Sequence, residues 1–173
     1  QFLRKSQPPG WRLPPRVLAA VPGGITAVEK RAVFSSLQRA GAGQVFLVPK
    51  STAAAIGAAL PIAEPLASMV CDVGGGATEV AVLSLGDTVA RASVRVGGDR
   101  MDAAVVAYVR ARYSLRIGPA TAERLRIDIG SAYPLEEEQV QEITGLDTAS
   151  GLPRRATITS EEVREALADP LDD

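Results

Sequence analysis

Short apolar runs alternate with amphipathic stretches through the first third of this chain. The run from Arg16 to Val21 has the length of a strand and closes in a Pro22-Gly23-Gly24 turn. Thr26 comes next, with Glu29 three residues later. That spacing lets each side chain satisfy the other residue's free backbone N–H, so a helix is predicted over about 27–39. Gly41 and Gly43 end it. A second strand is predicted over 44–48, and Pro49-Lys50-Ser51 leads into a helix over 52–60. That helix is nearly all small residues, Ala53, Ala54, Ala55, Gly57, Ala58 and Ala59. Small side chains allow close approach to neighbouring backbone. Strand, helix, strand, helix is half of an α/β domain.

The pattern then changes. Strands are predicted at about 69–71, 79–85 and 88–95, with Gly86-Asp87 as the turn between the last two. Links this short make an antiparallel meander. Gly97-Gly98-Asp99 opens an amphipathic helix with Met101, Ala104, Val105, Tyr108 and Val109 at helical spacing. A further helix is predicted over about 121–132. Two strands follow at 136–144 and 152–159 around a polar loop. Ser160 is read as the cap of a last helix over 161–168. Residues 1–15 are rich in Pro and basic residues and read as loop. No internal repeat or low-complexity segment is visible.

Composition narrows the chemistry. The chain has 173 residues, 46% of them hydrophobic and only 4% aromatic, so aliphatic side chains must build the core. That length suits one domain or two small ones. A net charge of −1 lacks the basic footprint of a nucleic-acid binder. One Cys and no His exclude an internal disulfide, a Cys/His zinc site and any catalytic pair built on His. Cys71, inside a strand run, is expected to be a small buried hydrophobe. No apolar stretch reaches spanning length and no signal peptide is seen, which makes the cytoplasm the expected compartment. The chain begins at Gln1 rather than Met, as a fragment or processed chain would.

Chemistry concentrates in Cys71-Asp72-Val73-Gly74-Gly75-Gly76-Ala77-Thr78-Glu79-Val80. Two apolar runs meet here at a glycine turn. Glycines let the backbone approach a ligand with no Cβ in the way. Successive N–H groups in such a turn can form an anion nest. Asp72, at a strand end, can hold a metal ion directly or through water. Phosphate with Mg²⁺ is one reading; a plain glycine hairpin leaves the same signature.

The order of the segments resembles a known family. Val21-Pro22-Gly23-Gly24-Ile25-Thr26-Ala27-Val28-Glu29-Lys30-Arg31-Ala32, Ala53-Ala54-Ala55-Ile56-Gly57-Ala58 and Asp72-Val73-Gly74-Gly75-Gly76 come first. Thr78-Glu79-Val80-Ala81-Val82, Ser93-Val94-Arg95-Val96-Gly97-Gly98-Asp99, Thr121-Ala122-Glu123-Arg124 and Ile129-Gly130-Ser131-Ala132-Tyr133-Pro134 follow. This series is similar to MreB and Mbl, the bacterial actin-like cell-shape proteins. A lone D-x-G-G-G also occurs in chaperone ATPases, sugar kinases and exopolyphosphatases, but the full series is more specific.

The resemblance implies an α/β, actin-like (ribonuclease-H-like) ATPase fold, incomplete here, with a small α+β insertion subdomain. Residues 1–66 would be the C-terminal part of subdomain IA. Residues 67–115 would be the first part of IIA with the second phosphate loop, 116–159 would be IIB, and 160–173 would begin the return into IIA. The family's first phosphate loop would precede residue 1 and its adenosine loop would follow Asp173. ATP and Mg²⁺ are the implied cofactors, with Asp72 meeting the metal through water. The implied nucleotide-binding residues are Asp72, Gly74, Gly75, Gly76, Ala77, Thr78, Gly97, Gly98, Asp99, Glu123, Arg126 and Ile127. The residue-level alternative for Glu123 and Arg126 is an exposed helical charge pair three residues apart. Implied partners are copies of the chain or related filaments, the membrane surface and cell-wall synthesis proteins, with no nucleic acid. Implied placement is cytoplasmic, peripheral at the inner face of the cell membrane.

Two positions depart from the family. Its water-positioning Glu and Thr align with Lys50 and Ala77. An ammonium offers only donors and Ala has no polar side-chain atom, so neither can orient an attacking water. Catalytic residues are therefore none, and impaired hydrolysis is the expectation. Lys50 could instead attract a γ-phosphate or simply be a solvated loop lysine. Trp11 and Leu13, beside Arg12 and Arg16, match the place of a membrane-inserting loop in relatives; Trp11 packed on the domain edge is the other reading. Competing functions are a superfamily enzyme of sugar-kinase or phosphatase type and a truncated fragment that binds nothing.

Overall fold

The structure, a computed structural model, describes residues 13–173. Contacts divide it into two compact units. One holds the residues up to Asp72 together with Glu79–Ser93; the other holds Val73–Thr78 and Val94–Asp173.

In the first unit, β1 (Arg16–Val21) pairs in parallel with β2 (Gln44–Pro49), with Arg16 opposite Gln44 and Val21 opposite Pro49. Parallel neighbours need a crossover, and α1 (Ala27–Arg39) supplies it. Its predicted start is observed in full. The Glu29 N–H donates to Thr26 Oγ1 at 3.2 Å, and the Thr26 N–H donates to Glu29 Oε2 at 2.7 Å. Gly41 ends the turn after α1 with φ of 103°, where a Cβ would be strained. No residue of α1 is buried, and Val28 is 77% exposed. The small-residue helix, α2 (Lys50–Gly57), begins two residues earlier than expected because its first turn follows Pro49 directly. Ser51 and Ala55 are its buried residues.

Three further strands form a sheet in chain order: β3 (Ser68–Val73), β4 (Thr78–Ser84) and β5 (Asp87–Val94). The β4–β5 turn is centred on Leu85 and Gly86, with φ of 54° and 81°, and not on Gly86-Asp87. Two successive positive φ values match the right-handed twist of a hairpin. Backbone bonds from Leu85 and Gly86 to Glu64 and Ile62 explain how a leucine is held there. Glu79, Ala81 and Leu83 point inward from β4. Cys71 does not: it is exposed, correcting the expectation of a buried thiol. On β3 it is Ser68, Val70 and Asp72 that turn inward, and strand parity leaves Met69, Cys71 and Val73 outside.

The second unit contains α3 (Gly98–Tyr113), the two-residue β6 (Leu115–Arg116), α4 (Pro119–Ile129), β7 (Val140–Asp147), β8 (Pro153–Thr159) and α5 (Ser160–Asp172). The antiparallel sheet β6-β7-β8 is packed by the three helices. Val105 and Val109 of α3, Leu125 and Ile129 of α4, Ile143 and Ile158 of the sheet, and Val163 and Leu167 of α5 form one continuous core. The α5 cap is Thr159, not Ser160: the Glu162 N–H donates to Thr159 Oγ1 at 3.2 Å, and the Thr159 N–H to Glu162 Oε2 at 3.0 Å. Ser160 is instead buried, its hydroxyl accepting from the Gln139 N–H at 2.8 Å and donating to Glu138.

Candidate functional site

The glycine segment folds as a tight loop against the start of α3. Gly74 N–H donates to the Ala77 carbonyl at 2.9 Å and closes the loop on itself. The Gly74 and Gly75 carbonyls then accept from the N–H groups of Gly98 and Asp99 at 3.0 and 2.8 Å. Thr78 Oγ1 donates to the Val96 carbonyl at 2.8 Å and ties the outgoing strand to the same place. The approach is too close for side chains. A Cβ on Gly97 would lie 2.5 Å from the Gly75 oxygen, and one on Gly75 would lie 3.3 Å from Asp99 Oδ1. The predicted series Gly74, Gly75, Gly97, Gly98 and Asp99 is therefore one contact surface. The N–H groups of Gly75 and Gly76 have no acceptor within the described chain, and both residues are exposed. Free amides in a Cβ-poor turn, beside the N-terminus of a 16-residue helix, can receive an anion.

Helix α4 approaches this surface through Arg126. Its Nη2 would be 3.1 Å from a Cβ at Gly98. Arg126 does not pair with Glu123. Its Nε donates to Asp102 Oδ1 at 2.6 Å, with the side chains 24% and 14% exposed. That bond raises the Arg126 pKa above its ordinary value against the opposing effect of burial, with the charges of Asp102, Glu123 and Asp99 assisting. Asp102 was invisible to sequence reading; a second Asp one helical turn after Asp99 carries no distinctive pattern. Glu123 and Ile127 lie on the exposed side of α4, Ile127 at 65%. Ala122, Leu125 and Ile129 fill the opposite face.

Asp72 is half-buried on the inner side of β3. Lys50 is exposed at the first position of α2, and Ala77 is half-buried in the glycine loop. Trp11 lies outside the described residues. Leu13 is 68% exposed. Arg16, a basic neighbour of those two residues, has its guanidinium 5.4 Å from the Phe46 ring centroid, a cation–π stack. Among the described residues there is no group of three or more Cys, Asp and Glu that could hold a metal ion, and no helix long and apolar enough to cross a membrane.

The fold and this loop place the chain among actin-like proteins. The double-helical filament structure of MamK, 19% identical, matches 99% of this chain and 51% of its own with a TM-score of 0.75. MreB5 of Spiroplasma citri, 36% identical, has been solved bound to AMPPNP and to ADP; the chain matches these with TM-scores of 0.82 and 0.84, over 90% of its own length and 46% and 47% of theirs. The sequence profile of the MreB/Mbl protein family matches residues 1–173, and the chain belongs to that family. It is 54% identical over 157 residues to the cell shape-determining protein MreB of Escherichia coli (strain K12), covering 91% of this chain and 45% of that protein. The chain thus spans about half the length of the relatives it matches.

Proposed function

We propose that this chain serves as an actin-like cytoskeletal protein, a nucleotide-linked filament component or scaffold in cell shape and wall morphogenesis. The observation that carries this reading is the loop of Gly74 to Thr78 docked on Gly97-Gly98-Asp99, with free amides at its tip. The loop fits a phosphate group: it offers donors, lacks side chains, and sits at a helix N-terminus. Gly74, Gly75, Gly76, Ala77 and Thr78 would hold the phosphates of ATP, and Asp72 would meet Mg²⁺ through water. Gly97, Gly98 and Asp99 brace the loop. Glu123, Arg126 and Ile127 of α4 would line the sugar and base, with Asp102 orienting Arg126. Bound ATP supplies a phosphoanhydride; the chain's own residues bind and orient it.

The relatives support this reading, since MreB5 has been solved with AMPPNP and with ADP. In this reading the subdomain limits fall at residues 66, 115 and 159. Hydrolysis is impaired in this proposal, because Lys50 and Ala77 leave no acceptor for an attacking water. Partners are further copies or related filaments, assembled by heterologous contacts that do not close into a ring. Wall-synthesis proteins and the inner membrane face, met through Trp11 and Leu13, complete the setting.

Sedimentation tests the filament role. With ATP and Mg²⁺ the protein, carried within a chain of its relatives' full length, is expected to pellet as filaments while releasing little phosphate. A folded protein that stays in the supernatant with and without nucleotide refutes it.

A further inference from the structure

We propose that the cavity beside the C-terminal end of α3 binds a phosphate-type oxyanion at a site separate from the glycine loop. The cavity holds about 230 Å³ and is lined by Arg110, Arg116, Asp147, Thr148 and Gly151. Neither guanidinium has an ion-pair or hydrogen-bond partner among the described residues, whereas those of Arg100, Arg126, Arg154, Arg155 and Arg164 all do. The single carboxylate in the cavity is already committed. Asp147 Oδ1 accepts from the N–H groups of Ala149 and Ser150 at 3.0 and 2.9 Å and from the Ser150 hydroxyl at 3.1 Å. Its Oδ2 accepts from Arg154 Nε at 3.0 Å. These bonds, led by the Ser150 N–H, hold the Asp147 carboxyl below the usual range, so it stays ionised and turned toward its own loop.

Two carbonyls at the C-terminal end of α3 have donors of their own. The Tyr113 carbonyl accepts from Arg154, and the Ser114 carbonyl from the Thr148 N–H at 2.9 Å. Asp147 balances Arg154, which leaves the charges of Arg110 and Arg116 uncompensated in a chain whose net charge is −1. Two guanidinium forks suit the several oxygens and double charge of a phosphate better than a single carboxylate. Arg116 also borders a second, apolar concavity of about 560 Å³ that includes Ile117, Leu146 and Pro153. The cross-strand register explains this, since Arg116 pairs with Leu146 and Leu146 with Pro153. An apolar group attached to the phosphate would have somewhere to lie.

Calorimetric titration of the chain with inorganic phosphate, and separately with dodecyl phosphate below its micelle concentration, tests the site. Binding is expected in at least one arm. It should weaken about tenfold or more in the Arg110→Ala/Arg116→Ala double variant, since charge-assisted bonds are lost. It should be unchanged in Arg155→Ala, whose guanidinium pairs with Glu142. Tighter binding of dodecyl phosphate identifies a lipid-type headgroup as the source, and equal binding identifies free phosphate. Loss in the double variant cannot come from the glycine loop, which shares no residue with this cavity. Arg116→Gln, which keeps the side-chain bulk, guards against a folding defect detected by circular dichroism. Binding unchanged in the double variant, or no binding in either arm by the folded parent, overturns the proposal.

Discussion

At the scale of single residues, Gly97 and the pair of Lys50 and Ala77 say most about the site. Gly97 faces rigid backbone, so any side chain must push the glycine loop away from α3. Gly97→Ala is expected to cost about 1–3 kcal/mol, as overpacking against an unyielding neighbour does. A lowered thermal midpoint would show it, together with weaker nucleotide binding. An unchanged midpoint would mean the loop contact is loose. In the proposed function, Lys50 and Ala77 bear on turnover rather than on folding. Within a chain of the relatives' full length, Lys50→Glu with Ala77→Thr is expected to raise phosphate release while nucleotide affinity is kept. Equal turnover with binding intact would show that these two positions do not limit the reaction. Glycine positions were legible because a missing Cβ has direct spatial consequences. Asp102 was not, because its role depends on the approach of α4 to α3, which no local pattern encodes.

Among the elements, α1 and α5 show what local sequence can specify. Thr26 and Glu29 were readable as a cap because the whole device lies within four residues. At α5 the same device exists, but Thr159 and Ser160 are adjacent and either could begin the helix. The buried hydrogen bonds of Ser160 to Gln139 and Glu138 decide it, and they come from 21 and 22 residues away. Cys71 was misread for a related reason. Period-two alternation names two faces of β3 without saying which is covered, and the inward set proved to be Ser68, Val70 and Asp72. The α5 cap also carries a pH signature. Burial pushes the Glu162 pKa up, but the Tyr113 hydroxyl, the Thr159 N–H and hydroxyl, and Arg112 outweigh it and hold the group below its ordinary value. Its contribution to stability is therefore complete above the ordinary glutamate range, about 4.3. It is lost as pH falls through the lower folded value. Thermal midpoints should drop on acidification through this window, and Glu162→Gln should flatten the drop. Parallel pH curves for parent and variant would contradict the assignment.

For the whole molecule, the two units differ in how much core they own. The second has one continuous cluster from Val105 to Leu167 drawing on all three of its helices and its sheet. The first leaves α1 without a buried residue and exposes Leu18, Val28, Phe46 and Met69. Local stability follows buried apolar contact. Amide hydrogens of α3, α4 and β7 are thus expected to exchange far more slowly than those of α1, by hydrogen exchange read with mass spectrometry. Uniform protection would mean that α1 is held by something other than apolar burial. The alternation of strand and helix, the meander and the three later helices were all legible in sequence. Which residues each of the two units holds arises from long-range packing.

Calorimetric titration of the purified chain with ATP and Mg²⁺ tests whether the glycine loop and α4 form the proposed nucleotide site. Micromolar binding, weakened by Gly97→Ala and untouched by Arg110→Ala/Arg116→Ala, is the result this account requires. No heat of binding from a chain shown by circular dichroism to be folded would contradict it.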